Sequence, residues 1–350
     1  MCKHTLHDLV AALPKCEHHI HLEGALTPEL LFDLADKNCI DLPENDPAFS
    51  TPVALKARYN QFSCLDDFLG YYYVGMSVLV KSEDFEALAW SYFQRAKSEG
   101  VMHAEVFFDP QAHLPRGVSY DTVLTGFLAA KRRAEELDIT SELICCFLRH
   151  LPVQDCLSTF QLPEVQASYA SGQIIGIGLD SSEKPFPPGD FKAIYEQAQA
   201  LGLRRTAHAG EEGPADYILS ALDVLDMERI DHGIHLVDDS KLLKRVADQG
   251  ILLSVCPLSN VLLRCVSSVD QLPIREFLNA GVNFSINSDD PAYFGGHYIL
   301  DNYCAVQEAF DLSATDWQKI CEGAIRGSWC SEARKQSMLA RLETVLAKGR

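Results

Sequence analysis

His19 and His21, within "PKCEHHIHLEGAL" (14–26), stand two positions apart at the end of an apolar run. Alternate residues of an extended strand face the same way, so these two imidazoles can reach one metal ion together, while His18 faces the opposite side. Three further groups carry comparable chemistry: "HAGEE" from His208 to Glu212, "DHGIH" with His232, and "NSDDP" with Asp289 and Asp290. Three neutral imidazoles and one carboxylate (His19, His21, His208 and Asp289) suit Zn2+, which accepts nitrogen and oxygen donors and in catalytic sites keeps a position open for water. Each piece also has a plainer reading. An HxH pair arises by chance, a lone His232 reads as a satisfied core or surface histidine, and Asp-Asp before proline reads as a turn or a helix cap. The combination favours a metal site, because every piece ends a predicted strand.

Those strands are short apolar runs at 15–22, 102–108, 142–148, 174–179, 203–209, 229–235, 251–257 and 282–287. Helical patterns separate most of them, among them 120–137, 190–202 and 239–250, the last two ending on a glycine suited to a helix C-cap. Eight strands alternating with helices predict a parallel sheet closed as a (β/α)8 TIM barrel, with the active site where the C-terminal strand ends converge. A doubly wound open sheet is the rival, weakened because no glycine-rich phosphate loop follows the first strand. Segment 27–100 is too long for one crossover and predicts extra helices, including the aromatic "FLGYYYVGMSVLV" (68–80). The tail from 301 to 350 is also helical in pattern. No low-complexity linker divides the chain, so residues 1–350 read as one domain.

Composition narrows the function. Of the 350 residues 47% are hydrophobic and 23% charged, as in globular proteins, and the formal net charge is −19. Such acidity argues against a nucleic-acid or anionic-membrane binder, which needs basic surface, and fits a small-molecule substrate. The 12 cysteines are scattered without a CxxC pair, the start "MCKHTLHDLV" lacks a secretory h-region, and no run of 18 apolar residues occurs. The expectation is an intracellular protein with reduced thiols, in the cytoplasm or also the nucleus. The fourth strand reads "GIGLDSSE" and Lys184 lies beyond its end, so a bridging modified lysine of the two-metal barrel hydrolases is lacking and one metal is expected.

The motifs "HIHLEGAL", "HAGEEGP", "RIDHGIH", "VCPLSNVLL" and "INSDDPAYFGG", in that order over nearly the whole chain, resemble the adenosine/adenine deaminase family of metal-dependent hydrolases. "HAEVFFDPQAH" (103–113), "GIGLDSSE" and "CPLSN" look like its microbial adenine deaminase branch. The resemblance implies that His19, His21, His208 and Asp289 hold zinc, that Glu211 is the proton donor, that His232 stands beside the metal-activated water, and that Asp290 hydrogen-bonds the purine ring. It implies the hydrolysis of adenine to hypoxanthine and ammonia, in purine salvage. Zinc brings water toward deprotonation near neutral pH, and Glu211, with its pKa raised in a dry pocket, protonates N1 so that C6 accepts attack. His18 departs from the aliphatic residue that relatives usually carry and is expected to pack behind the strand or cap a neighbour, without a catalytic role.

Two differences favour the free base over a nucleoside. Glu23 stands where nucleoside enzymes of the family usually carry aspartate, and its longer side chain is expected to fill sugar space. Asp180-Ser181-Ser182-Glu183 lacks the glycine those enzymes place after the fourth strand. The alternatives are a deaminase of adenosine or an N6-substituted adenine, another metal hydrolase on the same barrel, and a binding protein derived from a deaminase, against which all site residues are present.

Overall fold

Eight apolar runs become eight parallel strands in the computed structural model, which describes residues 6–348. They are β1 (Lys15–Glu17), β2 (Val101–Phe108), β3 (Thr140–Leu148), β4 (Gly176–Asp180), β5 (Arg204–Ala209), β6 (Arg229–His232), β7 (Leu252–Val255) and β8 (Asn283–Ile286), hydrogen-bonded in sequence order. The bridge between Ile20 and Asp289 joins the last strand back to the first, giving a (β/α)8 barrel. Strands such as β2 and β3 are buried along almost their whole length, as parallel strands covered by helices on one side and filled by side chains on the other must be.

β1 pairs for three residues only, against the eight expected. At His18 the backbone N–H donates 2.7 Å to the side-chain oxygen of Asn287, so a side chain replaces the ladder and the chain runs on through isolated bridges at Ile20 and His21. β6 likewise stops at His232, and His235 lies in a 3-10 turn. The expected extra helices are present between β1 and β2. One of them, Leu65–Met76, carries the aromatic run. Thr27 caps the first, its Oγ accepting the Leu30 N–H, with Pro28 at the position where a missing N–H costs nothing. Gly250 closes the Ser240–Gln249 helix at φ +67, a conformation that favours glycine. The tail forms helices through Lys348, the final two residues lying outside the described range.

The barrel interior is layered. Trp329, from the tail, packs at one end against Phe107, Ile144 and Cys146. The Phe107 ring in turn lies 5.0 Å from that of His19 and 5.2 Å from that of His21, flooring the histidine cluster. Among the described residues the eleven cysteines are free, and no helix is long and apolar enough to cross a membrane.

Candidate active site

The four groups singled out in the sequence converge at the C-terminal end of the barrel. One nitrogen or oxygen from each of His19, His208, His232 and Asp289 lies within 4.8 Å of the others, and all four are buried. His21 joins this set: its Nε2 lies 3.4 Å from His208 Nε2 and 3.5 Å from Asp289 Oδ1. His18 is elsewhere, fully buried behind the strand with Nε2 2.8 Å from Ser328 Oγ of the tail.

The neighbours of the imidazoles decide which nitrogen each presents. Ser254 Oγ donates to Asp231 Oδ1 at 2.7 Å, so it accepts from His19 Nδ1, 3.0 Å away. His208 Nδ1 donates to the Leu179 carbonyl at 3.0 Å. Both rings therefore turn a bare Nε2 toward Asp289, the orientation that outer partners impose on metal-binding histidines. Thr206 Oγ also donates to Asp231, at 2.7 Å, making that aspartate the hub behind the cluster. Asp231 sits inside "RIDHGIH", but only the fold reveals this role.

Several observations fit a cation at the centre of this cluster. His19 Nε2 is 3.1 Å from Asp289 Oδ1 yet makes no aligned hydrogen bond, and His232 Nε2 is equally without one. His21 Nε2 and His208 Nε2 lie 3.4 Å apart, and His208, its Nδ1 committed to the Leu179 carbonyl, turns an Nε2 lone pair into this space. Burial pushes the pKa of His208 well below the ordinary imidazole value and that of His21 below it, keeping both in the neutral form that ligates. Asp289 is held well below the usual carboxylate range, because His19 and the other imidazoles outweigh the opposing effect of burial. His19 is raised, the Asp289 charge overcoming the burial that would lower it. The donor set of imidazole nitrogens and one carboxylate suits zinc. His232 and Asp289 both take positive φ, +60 and +66, a left-handed conformation uncommon for non-glycine residues and found here also at helix caps such as Cys39 and Asp311.

Beside the cluster stands Glu211, only 2% exposed, its Oε2 3.6 Å from His232 Nε2. Burial first, then the charges of Asp289 and Glu183, pushes its carboxyl well above the usual range. Asn260 of "CPLSN" lies 3.3 Å from Glu211 Oε1 and 3.2 Å from His232 Nδ1, tying the two together. Glu183 fixes the loop that carries Glu211. Its oxygens accept the backbone N–H groups of Gly210, Glu211, Glu212 and Gly213 at 2.6, 3.0, 2.6 and 2.7 Å. Glu183 and Asn260 lie within motifs quoted from the sequence, but their partners are far along the chain and spacing could not reveal them.

Asp290 shares the His21 side of the cluster, with His21 and Asp289 also within 4.8 Å. Burial and the Asp289 charge raise its carboxyl well above the usual range. Gly24 makes this approach possible, since a Cβ there would lie 2.1 Å from Asp290 Oδ1. The cavity, about 380 Å³ with the space it opens to solvent, is lined by His21, His208, Glu211, His232, Asp289 and Asp290. Phe68, Leu69, Tyr72 and Tyr73 of the aromatic helix line it as well.

Glu23 corrects an expectation. It does not line the cavity. Its Oε1 accepts the Asp109 N–H at 3.1 Å and faces His113 Nε2 at 3.0 Å. The extra methylene carries the carboxyl to the loop after β2 and not into the space a sugar would take.

A fold of this kind with this site defines a metal-dependent deaminase class, and the comparisons agree. Residues 14–345 match the family model described as adenosine deaminase, and the chain belongs to that family. An adenine deaminase of Aspergillus fumigatus is 56% identical over 99% of this chain and 99% of its own length. The crystal structure of adenine deaminase from Arthrobacter aurescens superposes with a TM-score of 0.90 at 41% identity, covering 96% of this chain and 99% of that one. A zinc-bound amidohydrolase of Burkholderia ambifaria gives a TM-score of 0.82 at 25% identity over 98% and 94% of the two chains.

Proposed function

We propose that this protein hydrolyses adenine to hypoxanthine and ammonia, with one zinc ion per chain held by His19, His21, His208 and Asp289. The observation that carries the reading is Glu211, a buried carboxyl set against the imidazole–carboxylate cluster at a small cavity, its pKa raised by that burial and by the Asp289 charge. Likeness over nearly the full length to enzymes named adenine deaminase supports the choice of substrate.

A purine ring resists attack at C6 until a ring nitrogen takes a proton. Glu211 keeps a proton at neutral pH and delivers it to N1. His232, tied to Glu211 through Asn260, orients the attacking water and takes up its proton together with Asp289. Asp290 hydrogen-bonds the imidazole side of the purine. When bound, zinc supplies the Lewis acidity that makes hydroxide available near neutral pH. The aromatic helix shields the ring from bulk water, which strengthens each of these interactions. The whole chain acts as one domain, inside the cell, on a small free substrate and not on nucleic acid.

The test is an ultraviolet assay of adenine loss run beside adenosine and N6-methyladenine, with metal content measured on the same sample. Adenine is expected to be the preferred substrate and zinc the bound metal. Preference for adenosine would overturn the free-base reading, and activity in metal-free protein would overturn the zinc site.

A further inference from the structure

We propose that Asp109 and Asp180 form the subsite that receives the five-membered ring of the free base, reading the ring N–H that a nucleoside has exchanged for a sugar. The proposal rests on the reading of the site as an adenine deaminase. The two carboxylates follow β2 and end β4, and one oxygen of each lies within 4.8 Å of the other and of a His21 ring nitrogen. They are 1% and 2% exposed, yet both line the cavity.

Their bonding is incomplete in a particular way. No donor from another residue reaches either oxygen of Asp180 or Oδ1 of Asp109, and the two carboxyls pair only with each other, leaving further lone pairs for a ligand. His21 Nδ1 comes within 3.5 Å of Asp180 Oδ2 without aligning with it. Among the described residues no lysine or arginine lines the cavity. Buried acceptors without donors cost free energy, and a site retains them where a ligand brings the missing hydrogen.

The rest of the site says which part of the ligand that is. C6 must lie at the cluster of His19, His208, His232 and Asp289, and N1 must face Glu211 beside His232. Asp290 adjoins His21 and Asp289, Asp109 and Asp180 adjoin the same His21 ring, and all five line the one cavity. A purine placed by C6 and N1 therefore turns its imidazole edge toward Asp290 and the two acids. Free adenine carries an N–H on that ring, and a carboxylate accepts it. A substituent on N9 removes the hydrogen and leaves those lone pairs buried and unmet, the arrangement that rejects analogues most strongly. Glu23 takes part at one remove, as a positioning residue: by accepting the Asp109 N–H it fixes the loop that presents Asp109.

The test compares adenine with 9-methyladenine, which lacks the N9 hydrogen and adds one methyl group, in the full-length metal-loaded enzyme and in Asp180→Ala and Asp109→Asn. The wild type is expected to prefer adenine in kcat/KM by at least about a hundredfold. Each variant is expected to lose roughly tenfold or more on adenine, mostly in KM, while keeping its metal and its rate on 9-methyladenine, so that the ratio shrinks. The milder Asp109→Asn keeps the test available if the alanine variant misfolds. An equal loss on both substrates would mean a structural role, and a wild type indifferent to the methyl group would mean that the N–H is not read. Either result overturns the proposal while leaving adenine deamination intact. A wild type inactive on adenine overturns both.

Discussion

At the N-terminal end of the barrel, Glu105 lies 2.5 Å from Arg229 and accepts the Trp329 N–H, also at 2.5 Å. His103 Nε2 approaches the same carboxylate at 3.2 Å, and the Arg229 guanidinium stacks 3.8 Å over the Trp329 ring. At the C-terminal end, Asp109, Asp180, Glu211, Asp289 and Asp290 line one cavity that no lysine or arginine among the described residues shares. Both ends bury carboxylates and imidazoles. One end supplies its own counter-charge, and the other leaves its charges and lone pairs for something that enters. Buried atoms without an aligned hydrogen bond occur at both ends, but Glu105 Oε2 and Arg229 Nη1 face each other as opposite charges 2.5 Å apart. The cavity acids have no such cation beside them and mark where a ligand supplies the missing partner, at some cost to the stability of the empty protein.

The contrast breaks most sharply at Asp289. Asp289→Ala is expected to abolish adenine turnover and to remove the metal, whereas Glu211→Gln keeps the metal and loses at least about a hundredfold in kcat. Metal analysis beside steady-state kinetics separates the two, and equal metal loss in both would erase the proposed division of roles. A change at the opposite end should act on folding alone. Glu105→Ala leaves Arg229 as an uncompensated buried charge and is expected to cost about 3–5 kcal/mol in urea unfolding. The kcat of the folded fraction should stay unchanged, and a loss comparable to that of Glu211→Gln would show that the two ends are coupled. Asp290→Asn is a smaller change. It should retain metal and weaken adenine use by roughly tenfold, the scale of one hydrogen bond, with the loss read in kcat/KM.

The smallest expected effect is a pH dependence at Glu23. Burial raises its carboxyl from 4.5 to about 7, so the folded protein holds a proton that the unfolded chain releases at lower pH. The stability this group contributes is fully present below the unfolded value of 4.5 and is lost as pH rises through about 7. Glu23→Gln cannot ionise. Between pH 5 and 8 the wild type should lose more Tm than the variant, by a few degrees, in matched thermal scans. Parallel curves would mean that Glu23 is already ionised at the lower pH.

The sequence carried the strand positions because parallel strands must be apolar on both faces, and it carried His19, His208, His232 and Asp289 because each closes such a run. The end of β1 was not legible. The alternation in "HHIHL" looks like continued strand, whereas the Asn287 side chain intercepts the His18 N–H and ends the ladder. Asp231, Asn260 and Glu183 were hidden for a related reason. Each acts through partners distant in sequence, such as Ser254 for Asp231 and the Gly210–Gly213 backbone for Glu183, and no local spacing encodes such contacts. Glu23 was noticed for its length, but the direction of its reach, toward Asp109 and His113, belongs to the folded loop.

The most direct measurement follows purified, metal-analysed protein with adenine as the sole substrate, scoring hypoxanthine and ammonia together. The expected result is equimolar formation of both, proportional to bound zinc and abolished by chelation. Zinc-loaded protein that leaves adenine untouched, or chelated protein that still converts it, would contradict the central claim.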